Sequence, residues 1–594
     1  MPGEALTEIT KTINNISSMV TNQEIARILY QIAEFLEMKN VPFKPRAYEK
    51  SARVVESLEE PVEEIYKKSG LKGLEEIPGV GISIASKVVE LVKTGHLKYY
   101  QELKKEIPVD VEALSAIEGV GPKMIITLYK KLGIRNVADL EKAAKTGKIR
   151  KLEHFGEKTE QKIVKGIEFH KKHGGRFLLG EVLPLALSIR DRLRKLSQVE
   201  LIEIVGSIRR RKETVGDGDF LVVSSSPDKV MDYFVSMPEV IHVYAKGGTK
   251  TMVRLKNGLD LDLRVVPRES FGAALNYFTG NKDHNVTLRQ LAIKRGLKLS
   301  EYGVFGGKKG DKYICGRTEE EIYKILDLEY IEPELRESTG EIEAARQAKL
   351  PKLVGYDDLM GDLQVQSNWT DGEDSIEDLA RAALKLGHKY IAITDHTKRL
   401  AMTHGLDERR LLKQMAEIDR INTKFKDISI LKGTECDILK DGSLDLPNKI
   451  LAKLDVVGVS VHSYFNMSRH DMTKRIIKAI SNPHVDIFFH PTGRIINKRA
   501  PYEVDMDEVI AAAKRTGTVL EANAYWQRLD LKDEYIRKAV SAGVKIAIDS
   551  DAHSIAGLNV LHYGIAQARR GWTEKRSVIN TYPLKQMLKA LKDK

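Results

Sequence analysis

The chain has little cysteine: two residues, Cys315 and Cys436, far apart along 594 positions. That excludes a disulfide framework and a thiolate zinc site. A reducing compartment is expected, the cytoplasm first. Aromatic residues are scarce at 6%. No apolar run reaches the ~20 residues of a membrane span, so no membrane association is expected. The first residues lack the basic-then-apolar pattern of a secretory leader. Charge, in contrast, is plentiful. Charged residues make up 30%, and Lys and Arg outnumber Asp and Glu by 96 to 84, a net +12. Such a balance suits a polyanionic partner, nucleic acid first, with a lysine-rich thermophilic surface as the alternative. Apolar residues at 42% allow real cores, and the length asks for three or four domains.

One stretch concentrates chemistry. Residues 201–205 read as a strand, Gly206 and Ser207 close it, and a basic turn follows through Arg209, Arg210 and Arg211. Asp217 and Asp219 then open the apolar run 220–223. Side chains two apart on a strand share a face, so the two carboxylates lie side by side. Like charges so close are unfavourable unless a hard cation neutralises them. Residues 259–266 alternate strictly, with Asp260, Asp262 and Arg264 on the polar face. Either aspartate would complete a two-metal cluster, and alternation does not choose between them. A solvated acidic edge strand is the plain alternative. The expected chemistry is metal-dependent phosphoryl or nucleotidyl transfer. Farther on, Tyr277 and Phe278 before Gly280 read as core, or as a platform for a base or sugar.

Upstream the periodicity is helical. Residues 22–36 form one amphipathic run, with Asn22 as its expected cap. Residues 74–81 and 114–124 repeat a Gly-apolar-Gly turn between short helices, through Gly79 and Gly81, then Gly119 and Gly121. A weaker third copy lies at 152–159. This helix-hairpin-helix pattern lets a turn lie against a phosphate, and the next helix start offers it free N–H groups and a positive dipole end. It grips the sugar-phosphate backbone without reading sequence. Residues 338–358 read as an exposed linker. Beyond it, six short apolar strands alternate with helices, a rhythm suited to a β/α barrel. The strand ends carry Asp395 and His396, Glu435, His462, His490, Asp549, Asp551 and His553. Imidazole and carboxylate without thiolate suit Zn²⁺, Mn²⁺ or Fe²⁺.

Together these residues carry a family resemblance. Residues 1–335 resemble the family X DNA polymerases, the DNA polymerase beta type, and those from 359 resemble a polymerase-and-histidinol-phosphatase (PHP) domain. That order is the one found in the PHP-containing family X polymerases of bacteria and archaea. The resemblance implies a helical lyase-like domain (1–95) and a fingers-type, DNA-binding helical domain (96–175), each with a helix-hairpin-helix. It further implies an α+β nucleotidyltransferase palm (176–268), a nucleotide-selecting thumb (269–337), the linker, and a distorted (β/α) barrel of the PHP type (359–594).

The same resemblance assigns expected roles. Asp217, Asp219 and Asp262 are the catalytic carboxylates for Mg²⁺ or Mn²⁺, which selects Asp262 over Asp260. Gly206, Ser207 and Arg210 hold the triphosphate. Tyr277, Phe278 and Gly280 pack on the sugar, Asn285 meets the nucleotide's minor-groove edge, and Arg289 meets the template. Lys87 stands where the Schiff-base lysine of a 5′-deoxyribose-phosphate lyase would be, with Lys44 and Tyr48 at the 5′-phosphate. The other reading of Lys87 is a phosphate contact or a solvated helix lysine. Gly79, Gly81, Gly119 and Gly121 grip DNA, with Na⁺ or K⁺ at the turns. The partners implied are gapped or primed DNA and dNTPs, and the protein is expected to be monomeric.

The PHP pattern departs at its start. The family opens with Asp-Leu-His-x-His, whereas here Gln364 and Gln366 follow Asp362. The rest is intact: Asp371, His396, Glu435, His462, His490, Asp551 and His553. These would hold Zn²⁺ or Mn²⁺ at two of three positions. An amide oxygen is a far poorer transition-metal ligand than imidazole. The 3′–5′ exonuclease chemistry of the family is therefore expected to be weak or absent. The reaction implied is gap filling in base-excision repair. Its rivals are untemplated nucleotidyl transfer and a DNA-end-binding protein with secondary catalysis.

Overall fold

The computed structural model describes residues 20–593 apart from 21, 59, 78, 116, 118, 119, 154, 174, 175 and 308–310. The chain forms two units, one of residues 1–174 with 497–500, the other of residues 175–496 with 501–594.

The first unit is helical throughout its described residues. Amphipathic helices Asn22–Met38, Lys44–Ser57 and Ile82–Thr94 bury Leu29, Ile32, Val55, Val88 and Leu91 in one core. Asn22, expected to cap its own helix, is the first residue of that helix, and its side chain caps another. Its Oδ1 accepts from the Val62 N–H at 2.8 Å, and its Nδ2 donates to the Leu58 and Glu60 carbonyls. It thereby satisfies the start of helix Val62–Glu75, whose first N–H groups have no partner in their own helix. Helices Ile82–Thr94 and Pro122–Leu132 begin directly after Gly81 and Gly121.

The second unit opens with a mixed sheet of β1 (Val199–Val205), β2 (Asp217–Ser224), β3 (Val240–Lys246), β4 (Lys250–Leu255) and β5 (Asp260–Val265). Their order is β1-β2-β5-β4-β3, with β2 and β5 parallel at the centre. The alternation read from the sequence buries Leu261 and Leu263, which pack with Phe220 and Val222 against helix Leu179–Arg194. Helices Phe271–Thr279 and Lys282–Lys294 follow, then a small antiparallel sheet of three strands. Residues 338–358 are not an exposed linker. Glu341–Arg346 form a short helix, and Glu341, Ala345 and Val354 are buried. The polar character that suggested a linker serves a buried partner: Glu341 Oε1 lies 2.8 Å from Nδ1 of fully buried His284.

The chain then winds a seven-stranded parallel sheet in sequence order: β6 (Gly361–Val365), β7 (Tyr390–Ile393), β8 (Ser429–Asp437), β9 (Val456–Ser460), β10 (Ile487–Phe488), β11 (Val519–Asn523) and β12 (Ile546–Asp549). A Val365–Ala552 bridge brings β6 beside the chain leaving β12, so the barrel nearly closes. Helices cover it, which is why whole strands are buried rather than alternate ones. The barrel shares a core with the mixed sheet. Ile496, Trp526, Leu529 and Tyr563 join the cluster around Leu183 and Phe220. Trp526 lies so close over Gly180 that a Cβ there would stand 2.2 Å from its Cγ. Arg494 adds a two-pronged ion pair to Glu213, at 3.2 and 2.7 Å.

Candidate active site and metal centre

The register of β2 on β5 sets Asp217 beside Asp260 and Asp219 beside Asp262. The two β5 aspartates, equivalent by alternation, differ in their partners. Arg254 donates Nε and Nη2 to Asp260 at 2.8 and 2.9 Å, an exposed pair. Asp262 instead faces Lys250 Nζ at 3.0 Å. Asp219 is the most perturbed. Burial pushes its carboxyl up to about 7, helped by Asp217 and Asp262 and opposed by Arg264 and Lys250. Gly206 makes room for it: its φ is +68°, and a Cβ would meet Asp219 Oδ2 at 2.5 Å. The three carboxylates act on one another electrostatically and offer only oxygen donors, the ligand type that Mg²⁺ or Mn²⁺ takes.

Ser207 lies in the single helical turn Gly206–Arg209, and Arg210 ends that turn. Arg210, Tyr277, Phe278, Gly280, Asn285 and Arg289 all line one cavity of about 310 Å³. Five of the residues expected around a nucleotide, and Arg289 expected at the template, are thus gathered in one place; Gly206 and Ser207 lie outside its lining. Asn285 Nδ2 donates to the Tyr277 carbonyl at 2.6 Å, while its buried Oδ1 has no partner among the described residues. The Arg264 guanidinium stands 4.6 Å from the Phe278 ring centroid, linking the acidic cluster to the aromatic pair.

At the carboxyl ends of the barrel strands, Asp371, His396 and His553 offer ligand atoms within 4.8 Å of one another. His396, Glu435 and His462 do the same. Glu435 is central. His490 Nε2 lies 2.8 Å and His462 Nε2 3.2 Å from its Oε1. Burial opposes its charge, yet His396, His462 and His490 hold its carboxyl well below the usual range. Burial likewise opposes the charge on His462 and His553. Asp437 and Glu435 nevertheless raise the first to about 9, and Asp371 and Asp551 raise the second to about 9. Asp371 Oδ1 and His396 Nδ1, both from these trios, are buried with no hydrogen-bond partner among the described residues. A cation would supply what these groups lack, and the donor set fits Zn²⁺ or Mn²⁺. Asp551 belongs to neither ligand trio; it accepts from Asn523 Nδ2 at 3.1 Å. Gln364 and Gln366 both donate to Glu435 Oε2, at 3.1 and 2.9 Å. Amide donors therefore occupy the side of Glu435 where the family pattern has two imidazoles.

Comparison with known proteins bears on the whole chain. Family models match the helix-hairpin-helix domain over residues 20–97, a SAM-like helix-hairpin-helix tandem over 111–168, the DNA polymerase beta thumb over 274–337 and the PHP domain over 362–548. A relative named DNA polymerase/3′-5′ exonuclease PolX, from Bacillus subtilis (strain 168), is 38% identical over 573 residues, covering 96% of this chain and 99% of the relative. The chain belongs to the family X DNA polymerases that carry a PHP domain. DNA polymerase lambda of Rattus norvegicus is 27% identical over 345 residues, 53% of this chain and 56% of its own length. A probable phosphatase of Thermoanaerobacter sp. (strain X514) is 37% identical over 189 residues, 30% of this chain and 72% of its own.

In this family X polymerase the helical unit brings Lys87 and Tyr48 beside Tyr99, with Lys44 near enough to act on Lys87. Lys87 Nζ donates to the Ser83 carbonyl and hydroxyl, both at 3.1 Å, and lies 5.1 Å from the Tyr99 ring centroid. Burial lowers its pKa, and the Lys44 charge adds to that. Burial pushes the Tyr48 phenol up to about 12, with Tyr99 beside it. Gly79 has φ +80°, and a Cβ there would meet Lys50 Cγ at 2.8 Å. Gly81 and Gly121 face open space, as a phosphate contact requires. Gly119 lies outside the described residues.

Sequence reasoning passed over two groups. Asp437 stands 3.3 Å from His462 Nδ1. The signal was available: Asp437 follows Glu435 by two on β8 and so shares its face. Lys250 reaches Asp262 only through the pairing of β4 with β5, for which no local pattern gives a sign.

Proposed function

We propose that this polymerase fills short gaps in DNA during base-excision repair, adding a complementary deoxynucleotide to a primer 3′-OH as a monomer. The observation that carries this reading is the Asp217, Asp219 and Asp262 cluster, linked through Arg264 to the cavity of Arg210, Tyr277 and Asn285. Mg²⁺ or Mn²⁺ held by the three carboxylates would lower the pKa of the 3′-OH and neutralise the triphosphate and leaving pyrophosphate. Gly206, Ser207 and Arg210 orient the triphosphate. Tyr277 and Phe278 hold the sugar, with Gly280 leaving it room, and the unpartnered Oδ1 of Asn285 accepts from the base edge. Arg289 steadies the template. The turns at Gly79, Gly81, Gly119 and Gly121, with Na⁺ or K⁺, grip the backbone flanking the gap. On the same reading residues 1–95 are the lyase-like part, 96–175 the DNA-binding helical part, 176–268 the palm, 269–337 the thumb and 359–594 the PHP barrel.

Two further activities are proposed with it. Lys87 acts as the Schiff-base amine of a 5′-deoxyribose-phosphate lyase, with Lys44 and Tyr48 at the phosphate. An amine must be neutral to attack, and the lowered pKa of Lys87 supports that role. The barrel is of the 3′–5′ exonuclease type, with Asp371, His396, Glu435, His462, His490, Asp551 and His553 as ligands. Its hydrolysis is weak or absent, because Gln364 and Gln366 stand where the family pattern has imidazoles and an amide oxygen is a far poorer transition-metal ligand; their donation to Glu435 supports this reading.

The test is one-nucleotide-gapped DNA with a 5′-phosphate, following extension and 3′ degradation together. Complementary incorporation without marked degradation is expected. Addition without a template would favour untemplated transfer. Binding without synthesis would favour an end-holding protein.

A further inference from the structure

The arginine assigned to the triphosphate is tied to the barrel by a buried chain of ion pairs. Arg210 Nε donates to Glu337 Oε1 at 2.9 Å, and its Nη1 donates to the Thr279 carbonyl. Its Nη2 has no acceptor among the described residues. Glu337 is held in turn by Arg570, whose Nη1 donates to Glu337 Oε1 at 3.2 Å and to the Arg210 carbonyl at 2.9 Å. Arg570 Nη2 donates to Asp533 Oδ2 at 2.5 Å. Lys212 Nζ lies 3.6 Å from the other Glu337 oxygen. The chain is largely shielded from water: the side chains of Arg570, Arg210 and Glu337 are 3%, 13% and 16% exposed. Burial opposes the Glu337 charge, but Arg570, Lys212 and Arg210 hold its carboxyl below the usual range.

Two of the three guanidinium nitrogens of Arg210 are thus fixed by protein acceptors. That sets the plane of the group, and the side chain lines the cavity. A planar fork held in this way loses little freedom when its remaining N–H meets an anion. The anchor comes from the barrel, through Arg570 and Asp533. We propose that Glu337 and Arg570 are positioning residues for the incoming nucleotide: they hold Arg210 with Nη2 directed to the triphosphate, which makes the PHP barrel part of the polymerase's nucleotide site. This rests on the reading that Arg210 contacts the triphosphate.

The test is steady-state gap filling by the full chain, with inorganic triphosphate as a competitive probe. Glu337→Gln and Arg570→Lys are expected to raise the dNTP KM about five- to tenfold, with a smaller change in kcat. The inhibition constant for inorganic triphosphate rises in parallel, while affinity for gapped DNA holds. Glu332→Gln, which removes an exposed carboxylate 3.5 Å from Arg569 in the same region, leaves the KM as it was. In an Arg210→Ala background, Glu337→Gln adds nothing. If melting shows Arg570→Lys unfolded, the near-isosteric Glu337→Gln decides. A KM unchanged or lowered by Glu337→Gln, while Arg210→Ala raises it, overturns the inference and leaves the nucleotide reading standing. A KM untouched by Arg210→Ala overturns that reading itself.

Discussion

Asp219 Oδ2 lies where a Cβ on Gly206 would need to be, 2.5 Å from its ideal position. The pairing of Val205 with Asp219 brings the end of β1 against the start of β2, and a φ of +68° turns the chain away at that point. Close approach and left-handed backbone both demand glycine. Gly206→Ala would push the Asp219 carboxylate out of the cluster. A loss of kcat of about 10²-fold is expected, as for a displacement on the order of 1 Å. Affinity for gapped DNA should be retained, which equilibrium binding on the same preparation checks.

The β5 aspartates give a paired comparison. Asp262→Asn removes a member of the cluster and is expected to lower kcat by about 10²–10³-fold. Asp260→Asn breaks an exposed pair with Arg254, worth ~0–1 kcal/mol, and should leave kcat within a factor of two or three of the original, by the same small energy. Equal losses in the two variants would contradict the assignment.

Most of the carboxylate site was legible because its chemistry and its strand geometry share a period of two. Asp217 with Asp219, and Asp260 with Asp262, announce themselves by spacing alone. The choice within the second pair was not local, since Arg254 and Lys250 arrive from β4. Strand β6 escaped notice for a related reason. Asp362, Gln364 and Gln366 break its apolar run because all three are buried in polar networks rather than in hydrocarbon. The packed segment after Ser338 was unreadable because Glu341 meets His284, a partner 57 residues away.

Acid stability should depend on Glu319. Arg209 donates to it at 3.0 and 2.6 Å and Arg336 at 2.5 Å. Burial raises its carboxyl, but Arg336 and Arg209 outweigh this and hold it down to about 2, against an ordinary 4.5. A depressed folded value contributes stability that is present above about pH 4.5 and is lost as the pH falls toward about 2. Glu319→Gln should therefore flatten the pH dependence across that window. It should also cost about 3–5 kcal/mol near neutrality by leaving two buried guanidinium groups underpaired. Urea unfolding midpoints across the range measure both effects, and parallel pH slopes for the two proteins would refute the claim.

Trp526 joins the barrel to the palm core over Gly180. Trp526→Ala should lower stability by about 3–5 kcal/mol, as for other large aromatic truncations in a packed interior. A change below ~1 kcal/mol, within the range of surface substitutions, would mean that the two parts do not share a core in solution.

Gln364→His with Gln366→His should restore imidazole on the β6 side of Glu435. About one additional metal ion per chain is expected by elemental analysis, as for a regained transition-metal position. Mn²⁺-dependent 3′ degradation should rise with it. Robust degradation by the unaltered chain would contradict the account of the barrel.

The most direct test of the central claim is single-nucleotide gap filling by the full chain and its Asp219→Ala variant, with each of the four dNTPs supplied separately. The unaltered chain should insert the complementary nucleotide, and the variant should bind the same DNA without extending it. Extension by the variant, or equal insertion of all four nucleotides, would contradict that claim.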